Sequence, residues 1–307
     1  MTHTALRLIG IALGALAEAA CAQIAQPALS VDNFVDIGDN VSEMLDTSGL
    51  SFSTTMMTLR GSARDADAIV RASIVSTGAA APLALSARPV SAVKICPGGG
   101  QVKVDLVDAD ASGELSPRDS VALTFESCVL DGQLVSGRSR FIVRAHRYEG
   151  LNELTELEFH FDALGSTRMR WSGTAHAILR SDLKRGTESY GVTYRDLRVT
   201  RGARAMRWNF SLDAVRPPIG AEVISVHGAM TIDGLTLALR QDDPYVVAVD
   251  GHPRAGQATA TDARGARLQI EAGRWRYSYR YFGVGNPGEV PDAASQSPPY
   301  RGRTTGE

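Results

Sequence analysis

Cysteine is scarce in this chain, long apolar runs are missing, and neither sign of charge dominates. Three cysteines occur in 307 residues, with no Cys-x-x-Cys pair among them. That excludes a dithiol redox motif, and the pair left beyond the amino terminus is too small for structural zinc. The apolar run over residues 8–17 is too short to cross a hydrocarbon core of about 30 Å as a helix. The formal net charge is −2, so composition alone suggests neither nucleic acid nor an acidic membrane surface as a partner. Catalytic signatures are also missing. There is no HExxH or His-x-His, and no G-x-S-x-G elbow, Walker loop or GxGxxG leading into a βαβ unit. His146, His160, His176, His227 and His252 lie far apart, so zinc has little to recommend it. An enzyme is not the leading expectation, although all-β folds can assemble a hydrolase site from distant residues.

What is present begins with a leader. Arg7, the apolar run and the small-x-small signal Ala20-Cys21-Ala22 read as a signal peptide over residues 1–22, with Gln23 as the new terminus. The rival reading lipidates Cys21 as an outer-membrane lipoprotein; Glu18 stands where an apolar residue is expected. Either way the chain is expected to be exported, to the periplasm or beyond, without a transmembrane segment in its mature form. Cys96 and Cys128 then remain. In an oxidising compartment they most simply form one disulfide, against the alternative of two buried thiols.

Between those cysteines stands Asp108-Ala-Asp110-Ala-Ser112-Gly113-Glu114-Leu115-Ser116-Pro117-Arg118-Asp119. Alternating short oxygen donors around a glycine have the order of a calcium loop. Asp108, Asp110 and Ser112 are the alternating ligands. Glu114 offers its backbone carbonyl, Ser116 holds a water, and Asp119 closes the loop. The pattern expects a bidentate Glu at the last position, and Asp there reaches with less. The flanks alternate apolar and polar, as Val102 to Leu106 and Val121 to Phe125, which places the loop at a β-hairpin tip. The competing reading is a plain Asp/Ser/Gly turn. If calcium binds, its role is structural.

Residues 23–89 form an N-terminal segment that is partly helical, with helices over residues 32–46 and 56–75 and a linker over 78–82; residues 83–92 can enter the sheet. Residues 90–283 read as an all-β domain, an antiparallel meander of hairpins forming a curved sheet or a sandwich. Strands are expected at 134–143, 157–161, 206–212, 223–227 and 245–249, with turns at Asp131-Gly132, Arg201-Gly202, Asp233-Gly234 and Asp250-Gly251. A weak repeat relates Gly165…Met169-Arg170-Trp171 to Gly202…Met206-Arg207-Trp208, with Phe161-x-x-Leu164 and Tyr194-x-x-Leu197 upstream. Residues 284–307, rich in Pro, Gly, Ser and Asp, are expected to be a disordered tail.

Cys96-Pro-Gly-Gly-Gly, the Asp-x-Asp-x-Ser-Gly loop and Phe125-Glu-Ser-Cys128 together resemble a group of uncharacterised exported proteobacterial proteins, β-rich and often lipoprotein-like. Tyr194-Arg-Asp-Leu197-Arg-Val199-Thr-Arg-Gly202 is similar to the hairpin element that they repeat. The resemblance implies export and a β fold, not an activity. Arg118 stands where that group's pattern expects glycine.

Two further surfaces are candidates. Trp275, Tyr277, Tyr279 and Tyr281 share one face of a strand, which suits sugar stacking or a lipid interface but equally a sheet core. Arg138 and Arg140 share a strand face, as do Arg168 and Arg170. They suit an anionic glycan or lipopolysaccharide, or simply the solvated side of a sheet. A transmembrane barrel is not expected, because arginines interrupt most strands on both parities. The leading expectation is an exported cell-envelope structural or interaction module. A glycan- or lipid-binding protein and an envelope hydrolase are the alternatives.

Overall fold

The structure, a computed structural model, describes residues 27–45, 90–96, 98–112, 116–130, 133–166, 169–248, 253–274, 276–288 and 290–298. The leader, Cys21, the proposed helix over 56–75, the linker and the turns at 131–132 and 250–251 lie outside the described residues.

Among the described residues, fourteen strands form one open antiparallel sheet whose spatial order is the chain order. They run β1 Val90–Ile95, β2 Gln101–Val107, β3 Ser120–Leu130, β4 Gln133–Glu149, β5 Asn152–Ser166, β6 Met169–Asp182 and β7 Thr187–Arg201. β8 Arg204–Arg216, β9 Glu222–Ile232, β10 Leu235–Val247, β11 Pro253–Asp262, β12 Arg267–Ala272, β13 Tyr277–Phe282 and β14 Ala293–Gln296 complete it. This is the expected hairpin meander, built as one curved sheet. Helix α1 covers residues 34–45, inside the stretch expected to be helical. Residues 245–249 are not a separate strand: the pairing of β10 is irregular between Leu239 and Tyr245, and 245–247 are its end.

The strands alternate strictly. On β8, Met206, Trp208, Phe210, Leu212 and Ala214 are buried, while Ala205, Arg207, Asn209, Asp213 and Val215 are exposed. One face of a single sheet thus carries a continuous apolar core from β3 to β13, and the sheet must wrap around that face to keep it from water. Bulges and glycine kinks supply the curvature. Ser127, Ala163 and Asp196, with φ of 50°, 47° and 51°, mark bulges in β3, β5 and β7. At Gly228, φ is +133° and a Cβ would lie 2.5 Å from Phe210 Cα, so only glycine lets β8 and β9 approach this closely.

The repeat seen in the sequence is a repeated bulge. Leu164 pairs with Trp171, and Leu197 pairs with Trp208. In each hairpin the residue after the Trp satisfies the bulged amide: Ala163 N–H donates to Ser172 Oγ at 3.1 Å, and Asp196 N–H to Asn209 Oδ1 at 2.7 Å. Both indole Nε1 groups are buried without an acceptor among the described residues.

Helix α1 covers the inner face beside β13 and the β7–β8 turn. Phe34, Ile37, Val41 and Met44 lie in the core at the spacing of one helical stripe. Tyr279 O–H donates to Asp39 Oδ1 at 2.9 Å and lies 2.8 Å from Ser42 Oγ. Arg201 pairs with Glu43 and Arg204 with Asp36. Leu29 N–H donates to the buried Asp262 carboxylate at 3.1 Å.

Two expectations are corrected here. Residues 293–296 of the supposed tail are strand β14, paired with β13 from Ser278↔Gln296 to Tyr281↔Ala293. Composition missed it because an edge strand can be held by backbone pairing, and Ser297 Oγ further accepts from Tyr277 N–H at 3.0 Å. The aromatic face is not open to a ligand. Tyr277 and Tyr279 are buried in the core, and Tyr281 packs against Phe34 with ring centroids 5.9 Å apart. Trp275 lies outside the described residues. The helix covers the stripe because Tyr O–H groups can satisfy its polar atoms while their rings fill its apolar groove.

Candidate metal centre

Strands β2 and β3 pair from Gln101↔Glu126 to Val107↔Ser120. Residues 108–119 are therefore the connection of that hairpin, as the flanking alternation predicts. Its base is docked on a third strand: Arg118 N–H donates to Val143 O, and Val143 N–H to Asp119 O, both at 2.8 Å. This anchoring places Asp119 beneath the loop, where its side chain is buried.

Within the loop the carboxylates are turned inward by local backbone bonds. Asp119 Oδ1 accepts from Ala109 N–H at 2.8 Å and Oδ2 from Ser116 N–H at 2.7 Å. Ser112 N–H is shared between Asp108 Oδ1 at 3.2 Å and Asp110 Oδ1 at 3.1 Å. The result is that Asp108, Asp110 and Asp119 each present an oxygen within 4.8 Å of the others. A calcium ion with oxygen distances of about 2.4 Å separates opposite ligands by about 4.8 Å. The three carboxylates can hold a metal ion between them.

Electrostatics keep the Asp110 carboxyl ionised. The Ser112 hydroxyl, then the nearby Ser116 hydroxyl and the Ser112 amide, lower the Asp110 carboxyl to about 2. The Ser116 hydroxyl acts on that carboxylate at a distance but makes no hydrogen bond of ordinary geometry, and its oxygen is fully buried. A buried hydroxyl oxygen without a directed partner is costly. An ion or its water would supply the partner. Asp110 and Ser112 are exposed, so the site has an open side.

Of the predicted ligands, Asp108, Asp110 and Asp119 come together; Ser112 is placed beside two of them, and Ser116 points a buried oxygen at the loop. Glu114 lies outside the described residues. Sequence reasoning missed one feature and flagged another. Asp119 is bonded through both oxygens to loop amides, so it ties the loop together as well as closing it. Arg118 has φ of 83°, which is the glycine conformation that the expected pattern would have filled with glycine.

The cysteines are joined as predicted. Cys96 and Cys128 form a disulfide with Cα atoms 5.5 Å apart. A bond of this kind fits an oxidising, exported compartment, and no helix among the described residues is long and apolar enough to cross a membrane. Comparison with protein-family models, with curated proteins and with solved structures finds no match for this chain.

Proposed function

We propose that this chain is an exported cell-envelope structural or interaction module in which bound calcium locks the β2–β3 loop onto β4. The observation that supports it is the convergence of Asp108, Asp110 and Asp119 around one point beside the buried, unpartnered Ser116 oxygen. Calcium takes six to eight oxygens. Asp108, Asp110 and Asp119 supply the charge, while Ser112, Ser116 and water add further oxygens. The loop base is already bonded to Val143, so an ion there stiffens the β2–β3 hairpin and its attachment to the sheet. No reacting atom is implied. The covered tyrosines remove the main support for a ligand face on β13.

Thermal unfolding of the oxidised protein against calcium tests this reading, with magnesium as control. Calcium at a hundred times its Kd should stabilise by about 2.7 kcal/mol. Asp108→Ala/Asp110→Ala should abolish the shift without lowering the calcium-free melting temperature much, since Asp110 is exposed and Asp108 only half-buried. No shift at millimolar calcium would leave residues 108–119 as a hairpin turn.

A further inference from the structure

Outside the core, the outer face of the sheet has two zones that treat arginine differently. Toward the β4–β5 turn each arginine meets a carboxylate: Arg144 pairs with Glu158, and Arg147 with Glu149 at 2.8 Å. On β12–β13 Arg280 pairs with Glu271 at 2.9 Å. Across the middle of β4 to β8 the pattern fails. Arg138, Arg140, Arg170, Arg195, Arg198 and Arg207 are all exposed there, with Asp162 and Asp196 the acids among them. Arg207 reaches Asp196 at 3.4 Å, and Arg140 reaches Ser120 Oγ at 3.3 Å. Arg170, Arg195 and Arg198 have no carboxylate partner among the described residues, and Arg138 has only Asp162, which stands opposite it in the register without an ion pair. Arg198 stands directly opposite Arg207 in the register. Like charges at such a position destabilise a sheet. This band is positive in a chain whose net charge is −2.

The geometry points to this band as a binding surface for an acidic polysaccharide carrying carboxylates. Guanidinium groups bind carboxylates through two parallel hydrogen bonds. Four gaps between strands, each about 4.8 Å, spread the arginines along a line across β4–β8 rather than around one point. A linear polyanion matches that arrangement better than a small ion does. Between the arginines the outward side chains are His160, Ser172, Thr174, Thr200 and Asn209, which can hydrogen-bond sugar hydroxyls. The band offers no aromatic platform for stacking bases and no apolar wedge for a lipid bilayer. The proposal is independent of calcium.

Binding of sodium polygalacturonate to the oxidised full chain, followed by calorimetry at low and moderate salt, tests it. Neutral dextran and phosphatidylglycerol vesicles serve as comparison ligands. The expected result is binding to polygalacturonate that weakens with salt, with none to dextran. Arg195→Thr/Arg198→Thr should weaken it about ten-fold or more, as loss of charged hydrogen bonds predicts. Both positions are exposed and neither is ion-paired, and threonine suits a strand, so the variant should melt no lower than the parent. Arg280→Ser, which removes a paired arginine elsewhere, should leave binding unchanged. The proposal is overturned by absence of polygalacturonate binding, by equal binding to the Arg195/Arg198 variant, or by binding to the vesicles alone.

Discussion

The two flanks of the sheet are held by different means. On β8, in the middle of the sheet, every second side chain is buried, and Trp208, Phe210 and Tyr194 meet with ring centroids 4.9 to 5.6 Å apart. Farther along, α1 adds a second apolar layer against β13. At the other flank β1 has little core to join: Val93 is 57% exposed and Ile95 70%. β2 is only half-buried. That flank carries the disulfide, the carboxylate loop and the backbone bonds to Val143. Where a sheet cannot bury enough apolar area, cross-links take over its stabilisation.

Trp208→Ala should produce the largest change. Removing a fully buried aromatic ring leaves a cavity among Tyr194, Phe210, Leu197 and Met230 and should cost about 3–5 kcal/mol. Denaturant unfolding would measure it. A loss below about 1 kcal/mol would mean that the central strands are not the principal source of stability, and the contrast between flanks would fail.

Reducing the Cys96–Cys128 bond, or replacing it by Cys96→Ser/Cys128→Ser, should cost somewhat less. For a sequence separation of 32, the chain-entropy model gives about 3–4 kcal/mol. The distribution of the effect is more informative than its size. Hydrogen exchange should accelerate at amides of β1–β3 and stay protected in β7–β10. Equal acceleration in β8 would show that the sheet opens as one unit.

Much of this arrangement is legible in the sequence because it rests on local rules. Alternation and turn dipeptides mark the meander, as at Arg201-Gly202 and Asp233-Gly234, both of which connect paired strands. The spacing of Asp108, Asp110 and Asp119 marks the loop, and export logic pairs the cysteines. What is not legible depends on contacts distant in the chain. Nothing near Tyr279 announces that Asp39 and Ser42 will cover it from 240 and 237 residues away. Nothing in residues 293–296 distinguishes a strand from a loop until β13 offers its edge. The arginines are visible in the sequence, but their lack of partners is a property of register. Arg198 faces Arg207 because the two-residue turn between Arg201 and Arg204 sets the register of this end of the hairpin.

Arg118→Gly should strengthen the weaker flank. Arg118 holds φ of 83° at the base of the loop. A side chain in the left-handed region costs about 1–2 kcal/mol, and glycine's greater freedom when unfolded takes back part of the gain. A net rise of about 1 kcal/mol is expected. The bonds from residue 118 N–H to Val143 O and from Val143 N–H to Asp119 O use backbone atoms, so they survive the change. A variant less stable than the parent would show that the Arg118 side chain contributes contacts that outweigh the backbone strain.

The smallest effect is the acid response of the loop. The Asp110 carboxyl is lowered from 3.8 to about 2 by the Ser112 and Ser116 hydroxyls and the Ser112 amide. A carboxyl lowered on folding binds its proton more readily in the unfolded chain. Its contribution is therefore complete above about pH 4 and fades as the pH falls toward about 2. Because Asp110 is exposed, the loss should be confined to the loop and slight in the global melting temperature. Chemical-shift titration of the Asp110 side chain in calcium-free protein should show a midpoint near 2, moving back toward 3.8 in Ser112→Ala. A parent midpoint already at 3.8 would mean that the serines do not organise the loop, and that the convergence of Asp108, Asp110 and Asp119 rests on the bonds from Ala109 and Ser116 N–H to Asp119.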